Sequence, residues 1–372
     1  MRMLCWMVSA ITILTWCRAS PVAAAEATAT WPVDEAGVLF CYRSPHDVVA
    51  FDADGARKQS YGVVPSDLRA YGFTYSDAGG GLVLVRGRYQ AKDVSDFLVR
   101  RVAAATAVTL EATFTPAGTA TAAGLIVALG GPDGNDLALV QGPDGLAVEL
   151  RGGTPVHLVL APAASVPMHA VVTVSDGQLH AWVDGVARPP QPAVLARQPA
   201  ASIIIGSEQD GARPWSGTLH TLALYDRSVD AAAHQAAMLR RLGARPVIPR
   251  TTLEVEVVEV SATPTPNGIA PYYRGLVVCS YRVLRVIDGP APDAAIIKIA
   301  HWGVMGNRQL AVKDLKVGNR QHLAIEAMAA HPYLLPEHLS EDLNDNLDAP
   351  LFYEVSGWSL RAALTMPTKV LP

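Results

Sequence analysis

Carboxylate and amide oxygens are concentrated in two short loops of the sequence, and calcium prefers oxygen ligands of this kind. Residues 132–136 contain Asp133, Asn135 and Asp136, and residues 207–210 contain Glu208 and Asp210. A calcium ion needs six or more oxygens that converge, which neither loop supplies by itself. Asp, Asn and Gly also build ordinary turns. The sequence therefore makes these loops a candidate calcium site, and plain turns are the alternative that such residues more often form.

A second group of residues could bind a carbohydrate. Tyr71 and Tyr75 lie in a stretch that the sequence predicts to be rich in loops, and Arg86 and Arg88 follow shortly after it. Exposed aromatic rings can stack on sugars while polar groups reach the hydroxyls. Aromatic side chains also fill protein cores, so a core position is the alternative for the tyrosines. We expect a ligand-binding edge at these four residues if the rings are exposed.

The signatures of common catalytic sites are missing from the sequence. There is no Gly-x-Ser-x-Gly, His-Glu-x-x-His, Cys-x-x-Cys or glycine-rich phosphate loop. Glu254 and Glu256 lie on the same face of a predicted strand, as the carboxylates of a glycosidase can. They have no third carboxylate partner, and charged residues at these positions fit a solvated strand face. His301 lies inside an apolar strand, where a histidine is more often a satisfied core residue than a catalyst. Catalysis is therefore disfavoured.

Composition limits both the partners and the fold. The net charge of −4 leaves no basic surplus with which to bind nucleic acid. The 372 residues allow two or three domains. The 30 Gly and 27 Pro residues are scattered between short apolar runs, as in proteins with many tight turns between strands. An all-β protein is predicted.

The strand pattern changes near residue 245. Up to residue 243, short strands are joined by turns such as Asp176-Gly177 and Asp184-Gly185, which predicts an antiparallel β-sandwich over residues 26–243. The proline-rich residues 244–251 read as a linker. Residues 252–372 alternate apolar and polar positions over longer runs and predict a small barrel of about five strands, similar in pattern to an oligonucleotide/oligosaccharide-binding barrel, with an acidic, loop-rich end.

One stretch carries a family resemblance. Residues 215–234, WSGTLHTLALYDRSVDAAAH, alternate as a strand and then change to a helical period after Asp226-Arg227. Together with the preceding Gly-Ser and the hairpin LHAWVDGVAR (179–188), this order resembles the closing segment of laminin-G-like, concanavalin-A-like domains of bacterial exported proteins. The resemblance implies a jelly-roll sandwich, ligand capture on a sheet face or at loop ends, and calcium held in rim loops. The fold itself does not fix the activity.

The N-terminus predicts export. Arg2 precedes a short apolar run that ends near Ala25, which is typical of a cleaved signal peptide over residues 1–25. No second long apolar segment follows, so we expect a secreted or periplasmic protein without a transmembrane segment. Cys41 and Cys279 would remain in the mature chain, where they could pair or be buried as small apolar residues.

These observations favour a non-catalytic exported binding module that recognises a polysaccharide or another envelope component, with calcium as a possible ligand. Two alternatives stay open. One is a scaffold that binds proteins of an exopolysaccharide assembly or modification system, and the other is a polysaccharide hydrolase or lyase without a recognisable motif.

Overall fold

The computed structural model describes residues 31–33, 35–44, 47–51, 54–57, 68–91, 95–131, 134–151, 156–162, 165–195, 202–245, 247–345 and 347–360. Two sheets dominate these residues, which confirms the all-β prediction. The predicted signal peptide and Asp133 lie outside the described residues. Within the described ranges, no helix is both long and apolar enough to cross a membrane.

The first sheet has 15 strands and curls into two layers. Its central order is β12-β11-β10-β5-β15-β4-β14-β6-β7-β8-β9, with β1, β2, β3 and β13 paired beside it. The strands are β1 Val38–Ser44, β2 Asp47–Val49, β3 Leu68–Ser76, β4 Leu82–Ala91, β5 Ala107–Pro116, β6 Gly124–Gly131, β7 Gly134–Gly142, β8 Gly145–Leu150, β9 Val156–Ala161, β10 Met168–Ser175, β11 Gln178–Val183, β12 Val186–Ala187, β13 Gln191–Pro192, β14 Ser202–Ile205 and β15 Gly217–Tyr225.

Strand β15 connects the two layers, because it pairs with strands of both. It pairs with β5 along its length, with β4 at its start and with β1 at its end. Leu110 of β5, Leu139 of β7 and Leu222 of β15 lie in one buried cluster, so both layers pack on a shared core. Asp176 and Asp184 adopt the positive φ that tight hairpin turns require. The predicted β-sandwich is confirmed.

The stretch that holds Tyr71 and Tyr75 is a regular hairpin, so the prediction that it is rich in loops was wrong. Strands β3 and β4 pair in register from Leu68↔Ala91 to Ser76↔Leu82, with one bulge. The turn between them is built by Asp77, whose carboxylate accepts a hydrogen bond from the backbone N–H of Gly81 at 2.7 Å. Three consecutive glycines make this turn possible, and the aromatic residues before it favour a strand.

Two α-helices flank the sandwich among the described residues: α1 (Ser95–Ala104) and α2 (Ala231–Gly243). The helical period predicted after residue 226 is confirmed by α2, whose N-cap is Asp230. Ala237 and Met238 of α2 lie in one cluster with Cys41 of β1, on the outer side of the sheet. The neighbouring strands β5 and β10 are therefore buried on both faces.

The second sheet contains a closed barrel. Five strands form a circuit in the order β16-β17-β18-β22-β20 and back to β16, in which only β18 and β22 are parallel. Leu253, Val277 and Ile299 point into its interior cluster. The predicted five-stranded barrel is confirmed. The strands are β16 Arg250–Val260, β17 Gly275–Asp288, β18 Ile296–Met305, β19 Arg308–Gln309, β20 Arg320–Ala327, β21 His338–Ser340 and β22 Leu351–Glu354, with short 3-10 helices at Pro266–Ile269, Ala311–Asp314, Met328–Ala330 and Pro332–Leu334.

The outer face of β17 and β18 is covered by the sandwich. Phe73 of β3 belongs to the same buried cluster as Leu276 and Trp302 of the barrel. The guanidinium of Arg274 donates to the backbone carbonyl of Thr74 at 2.7 Å and also to the carboxylate of Glu337. Apolar packing and the hydrogen bond from Arg274 to the Thr74 carbonyl thus join the two sheets.

Cys41 and Cys279, the two cysteines among the described residues, are buried and unpaired, one in each sheet. Burial raises the pKa of both thiols, Cys41 and Cys279, to about 12. In this structure they serve as small apolar residues, one of the two interpretations that the sequence allowed.

Candidate functional site

The outer face of the β3–β4 hairpin brings together three of the four predicted ligand-binding residues. Tyr71 pairs directly with Arg88, and Phe73 with Arg86. Side chains in direct register project from the same face of a sheet. Arg69 is on this face as well, because it lies two residues before Tyr71. We call Arg69, Tyr71, Arg86 and Arg88 the arginine strip.

Tyr71 holds two of these cations. The guanidinium carbon of Arg88 lies 4.1 Å from the centre of the Tyr71 ring, and that of Arg69 lies 5.3 Å from it. Such contacts are attractive because the ring face is electron-rich. Burial lowers the pKa of Arg88, while Tyr71 and Asp210 act in the opposite direction. Arg69 is exposed and the other members of the strip are half-buried, so a ligand can reach them.

Unlike the other three predicted ligand-binding residues, Tyr75 lies outside the arginine strip. Its ring packs against Trp302 of the barrel, with 5.5 Å between ring centroids. Burial, followed by the nearby charge of Glu354, raises the pKa of Tyr75. Phe73 also packs into this contact, and a Cβ added at Gly306 would lie 3.5 Å from its ring. The barrel therefore borders the strip on this side.

A cross-strand row on the same outer face leads away from the strip. Gln90 pairs with Ile204, which is followed in register by Ala128, Ala138 and Glu149 of β6, β7 and β8. Ile204 and the two alanines are no more than 2% exposed although they point away from the sandwich core. Another segment must cover them.

The loop of residues 207–214 is that segment. The backbone N–H of Leu125 donates to the carbonyl of Arg213 at 2.9 Å. The Arg213 guanidinium then contacts Glu208 at 2.8 Å and reaches Glu149 on β8 at 2.6 Å. The arginine strip is thus the part of this face that lies between the barrel contact and the loop.

The residues of the predicted calcium site are placed as follows. Asn135 faces Gly130 across β6 and β7, and Asp136 is buried at the start of the core part of β7. Glu208 is ion-paired with Arg213, and Asp210 accepts the N–H of Ala212 at 2.8 Å. Across the described ranges, no group of three or more His, Cys, Asp or Glu residues could hold a metal ion. Since Asp133 is outside these ranges, the calcium site stays a prediction.

A buried carboxylate that sequence reasoning missed lies under helix α2. Glu111 of β5 is fully buried and accepts four hydrogen bonds. Its Oε1 accepts from Trp31 Nε1 at 2.5 Å and is 2.8 Å from His169 Nε2. Its Oε2 accepts from the Tyr225 hydroxyl at 2.8 Å and is 2.7 Å from His234 Nδ1.

The Glu111 centre is structural. Burial alone would raise the pKa of Glu111, but hydrogen bonds from His169 and His234 and their charge outweigh it, and the pKa falls to about 2. Both histidines are 3% exposed, so substrate cannot reach the carboxylate. The centre ties β5, β10, the end of β15, helix α2 and Trp31 together. A glutamate in the apolar run VTLEATF was its one signal in the sequence.

A similar centre closes the barrel. Glu354 accepts hydrogen bonds from the Ser359 hydroxyl at 2.8 Å and from the Trp358 N–H at 3.0 Å. His301 Nδ1 lies 3.8 Å from it, and His301 Nε2 is 2.8 Å from the Tyr281 hydroxyl. Burial opposes ionisation, yet the contacts with His301 and the serines lower the pKa of Glu354 to about 2. His301 is fully buried, as the sequence led us to expect.

Comparisons with solved structures show only remote similarity. Trypanosoma rangeli sialidase in complex with 2,3-difluorosialic acid is 17% identical, with a TM-score of 0.37 over 58% of this chain and 35% of the sialidase. The binding domain of botulinum neurotoxin DC in complex with rat synaptotagmin II is 8% identical, with a TM-score of 0.41 over 74% of this chain and 73% of that domain. A SAP-like pentraxin from Limulus polyphemus is 17% identical, with a TM-score of 0.30 over 36% of this chain and 70% of the pentraxin.

These similarities do not extend to function, and the chain spans about a third of the length of the sialidase. No curated protein matches the sequence. A family model does match it: residues 86–233 fit the concanavalin A-like lectin/glucanases superfamily. The match runs from β4 through β15 into α2 and so covers most of the sandwich. The N-terminal sandwich of this chain is therefore a concanavalin A-like domain.

Proposed function

We propose that this chain is an exported, non-catalytic protein that binds a polysaccharide of the cell envelope through the arginine strip. The observation that carries the proposal is the Arg88–Tyr71 pair, which lies on an outer strand face between the barrel and the loop of residues 207–214. An aromatic ring beside hydrogen-bond donors is the combination that sugar rings and hydroxyls require. The apolar N-terminal run supports export.

The positions of the buried carboxylates support binding over hydrolysis. A glycosidase needs two carboxyl groups that face each other across the scissile bond. Glu111 and Glu354 are buried, lie in different sheets and are each surrounded by hydrogen-bond donors. Neither is placed to transfer a proton to a bound sugar.

One observation favours a protein-binding scaffold as the second candidate function. On the barrel, Tyr272 is 47% exposed, Tyr273 is 88% exposed and Leu335 is 73% exposed. Exposed apolar and aromatic side chains that lie together are typical of interaction sites. Such a site would use the barrel and would not require the arginine strip.

Thermal unfolding of the exported chain with a panel of neutral and acidic polysaccharides tests the proposal. A ligand that binds only the folded state must raise the melting temperature. We expect a rise that Arg88→Ala abolishes and Arg285→Ala, an exposed arginine on the barrel, preserves. No rise with any polysaccharide would refute the proposal and favour the scaffold. Repeating the scans with calcium and with a chelator tests the predicted site: a rise that needs calcium would support it, and identical curves would count against it.

A further inference from the structure

We infer that the arginine strip binds the carboxylate groups of an acidic polysaccharide. This inference rests on the proposed function and names the class of its ligand. It follows from the charges on this face, from the geometry of the two outer arginines and from the walls that border them.

Two members of the arginine strip, Arg69 and Arg88, carry positive charges that no ion pair of the described residues neutralises. Arg69 and Arg88 approach the same tyrosine ring, and neither forms an ion pair with a carboxylate of the described residues. Many other arginines in the molecule do, for example Arg213 with Glu149 and Arg274 with Glu337. Two cations close together repel each other unless an anion lies near both. Asp210 influences the pKa of Arg88, but it already accepts a hydrogen bond from the N–H of Ala212.

The contact with the Tyr71 ring leaves N–H groups of the guanidinium available to donate hydrogen bonds to a ligand. A guanidinium that lies over an aromatic ring uses its flat face for that contact, and its N–H groups point outward around its edge. A carboxylate can accept two of these N–H groups in the same plane. The Nε of Arg88 is buried and has no hydrogen-bond partner among the described residues, so a donor is already desolvated at this position.

The surroundings suit an extended chain better than a small ion. The strip crosses two strands, and Arg69 and Arg88 reach the Tyr71 ring from neighbouring strands. The barrel and the loop of residues 207–214 border it on either side. A polymer with a carboxylate on successive sugars could contact Arg69 and Arg88 at once, with a sugar ring against Tyr71.

Polygalacturonate and its fully methyl-esterified form make a matched pair of probes, because they share a backbone and differ in the charge of the carboxyl group. We expect the acid form to bind at least about tenfold more tightly than the ester, since hydrogen bonds to a charged group are the stronger ones. Binding of the acid form should weaken with added salt. Affinity electrophoresis and titration calorimetry on the full exported chain would measure both.

Variants of Arg69 and Arg88 test whether the polysaccharide binds at the arginine strip. Arg69→Ala removes an exposed side chain and should fold normally, and we expect it and Arg88→Ala each to weaken binding roughly tenfold. Arg88→Lys keeps the charge but loses the planar fork, so it should also bind more weakly than the natural protein. Arg285→Ala, whose side chain is 64% exposed on the barrel, is the matched control and should bind normally.

The outcomes separate this inference from the proposed function. Equal binding of the acid and the ester, weakened alike by the Arg69 and Arg88 variants, would overturn the inference and leave polysaccharide binding through the arginine strip intact. Equal binding of dextran sulfate would overturn the assignment to carboxylates. Absence of binding to any polysaccharide would refute the proposed function itself.

Discussion

Replacing Glu111 by glutamine should destabilise the sandwich severely, because four donors converge on this carboxylate. Glutamine has nearly the same shape, but it carries one oxygen and an NH₂ group in place of two acceptor oxygens. Donors from Trp31 and His169 meet one side of the group, and donors from Tyr225 and His234 meet the other. With its NH₂ toward Trp31 the amide meets an indole N–H that cannot accept a hydrogen bond. The opposite orientation requires the Tyr225 hydroxyl to turn and the imidazole of His234 to lose a proton.

The magnitude follows from the structure in two ways. Removing one partner of a buried charged network costs about 3–5 kcal/mol. Independently, the pKa of Glu111 falls from 4.5 to about 2 on folding, which corresponds to roughly 3 kcal/mol at about 1.4 kcal/mol per unit. We therefore expect Glu111→Gln to lower the free energy of unfolding by about 3 kcal/mol.

Urea denaturation at neutral pH measures this difference, and Glu149→Gln is the matched control. Glu149 lies in the same sandwich and pairs with Arg213, but its side chain is 31% exposed, so its loss should cost less than about 1 kcal/mol. If Glu111→Gln unfolds within about 1 kcal/mol of the natural protein, the role assigned to the buried carboxylate is wrong.

The pH dependence gives a second readout of the same prediction. Because the pKa of Glu111 is lower in the folded state, its stabilising effect is complete above about pH 4.5 and is lost as the pH falls toward about 2. The pKa of Glu354 is lowered in the same direction, but this group is present in both proteins and cancels in the comparison. The gap between the natural protein and Glu111→Gln should therefore narrow below pH 4.5. A gap that stays constant down to pH 2.5 would contradict the assignment.

Two further predictions concern the contact between the sandwich and the barrel. Phe73→Ala removes a ring that is 6% exposed and belongs to the same buried cluster as Trp302, so we expect a loss of about 3–5 kcal/mol at the contact. Calorimetry should show two separate transitions for this variant and a single transition for the natural protein. A single transition at an unchanged temperature would count against a shared core. Arg274→Met leaves the carboxylate of Glu337 buried without its cation and should cost about 3–5 kcal/mol, measured by thermal unfolding. A melting temperature equal to that of the natural protein would show that Arg274, through Glu337 and the Thr74 carbonyl, does not stabilise this contact.

Most of the strands could be predicted from local pattern. Strand β11 alternates buried and half-buried residues as its sequence does, and β16 repeats the alternation with Glu254 and Glu256 on the outside. Asp-Gly pairs identified two hairpin turns because Asp and Gly tolerate positive φ. Local periodicity is enough to predict a strand wherever that strand has one buried face and one solvated face.

Other features depend on contacts between distant residues, which a single sequence does not display. The sequence predicted loops where the β3–β4 hairpin lies, because the outer face of this hairpin is neither uniformly polar nor uniformly apolar. Phe73 and Tyr75 on that face are covered by the barrel, more than 200 residues further along the chain at Trp302, whereas Arg69 stays exposed. The pattern therefore fits neither a buried nor a half-solvated strand.

The strand that runs directly into a helix at residues 215–234 has a physical explanation in Glu111. Tyr225 ends β15 and His234 lies in the first turn of α2, and both contact the same oxygen, Oε2, at 2.8 and 2.7 Å. A long connection would let these two donors separate, so the short turn capped by Asp230 keeps them together.

The Glu111 contacts also determine which outer face of the sandwich stays accessible. Helix α2 is fixed on the outer face of the layer that contains β5, so that face is occupied. On the opposite layer the barrel covers Phe73 and Tyr75, and the loop of residues 207–214 covers Ile204 and its neighbours. Between these two covered regions, Arg69 and Arg88 approach the ring of Tyr71 with no carboxylate of the described residues paired to either. The same packing that stabilises the two faces of the sandwich thus leaves Arg69 and Arg88 accessible between the covered regions.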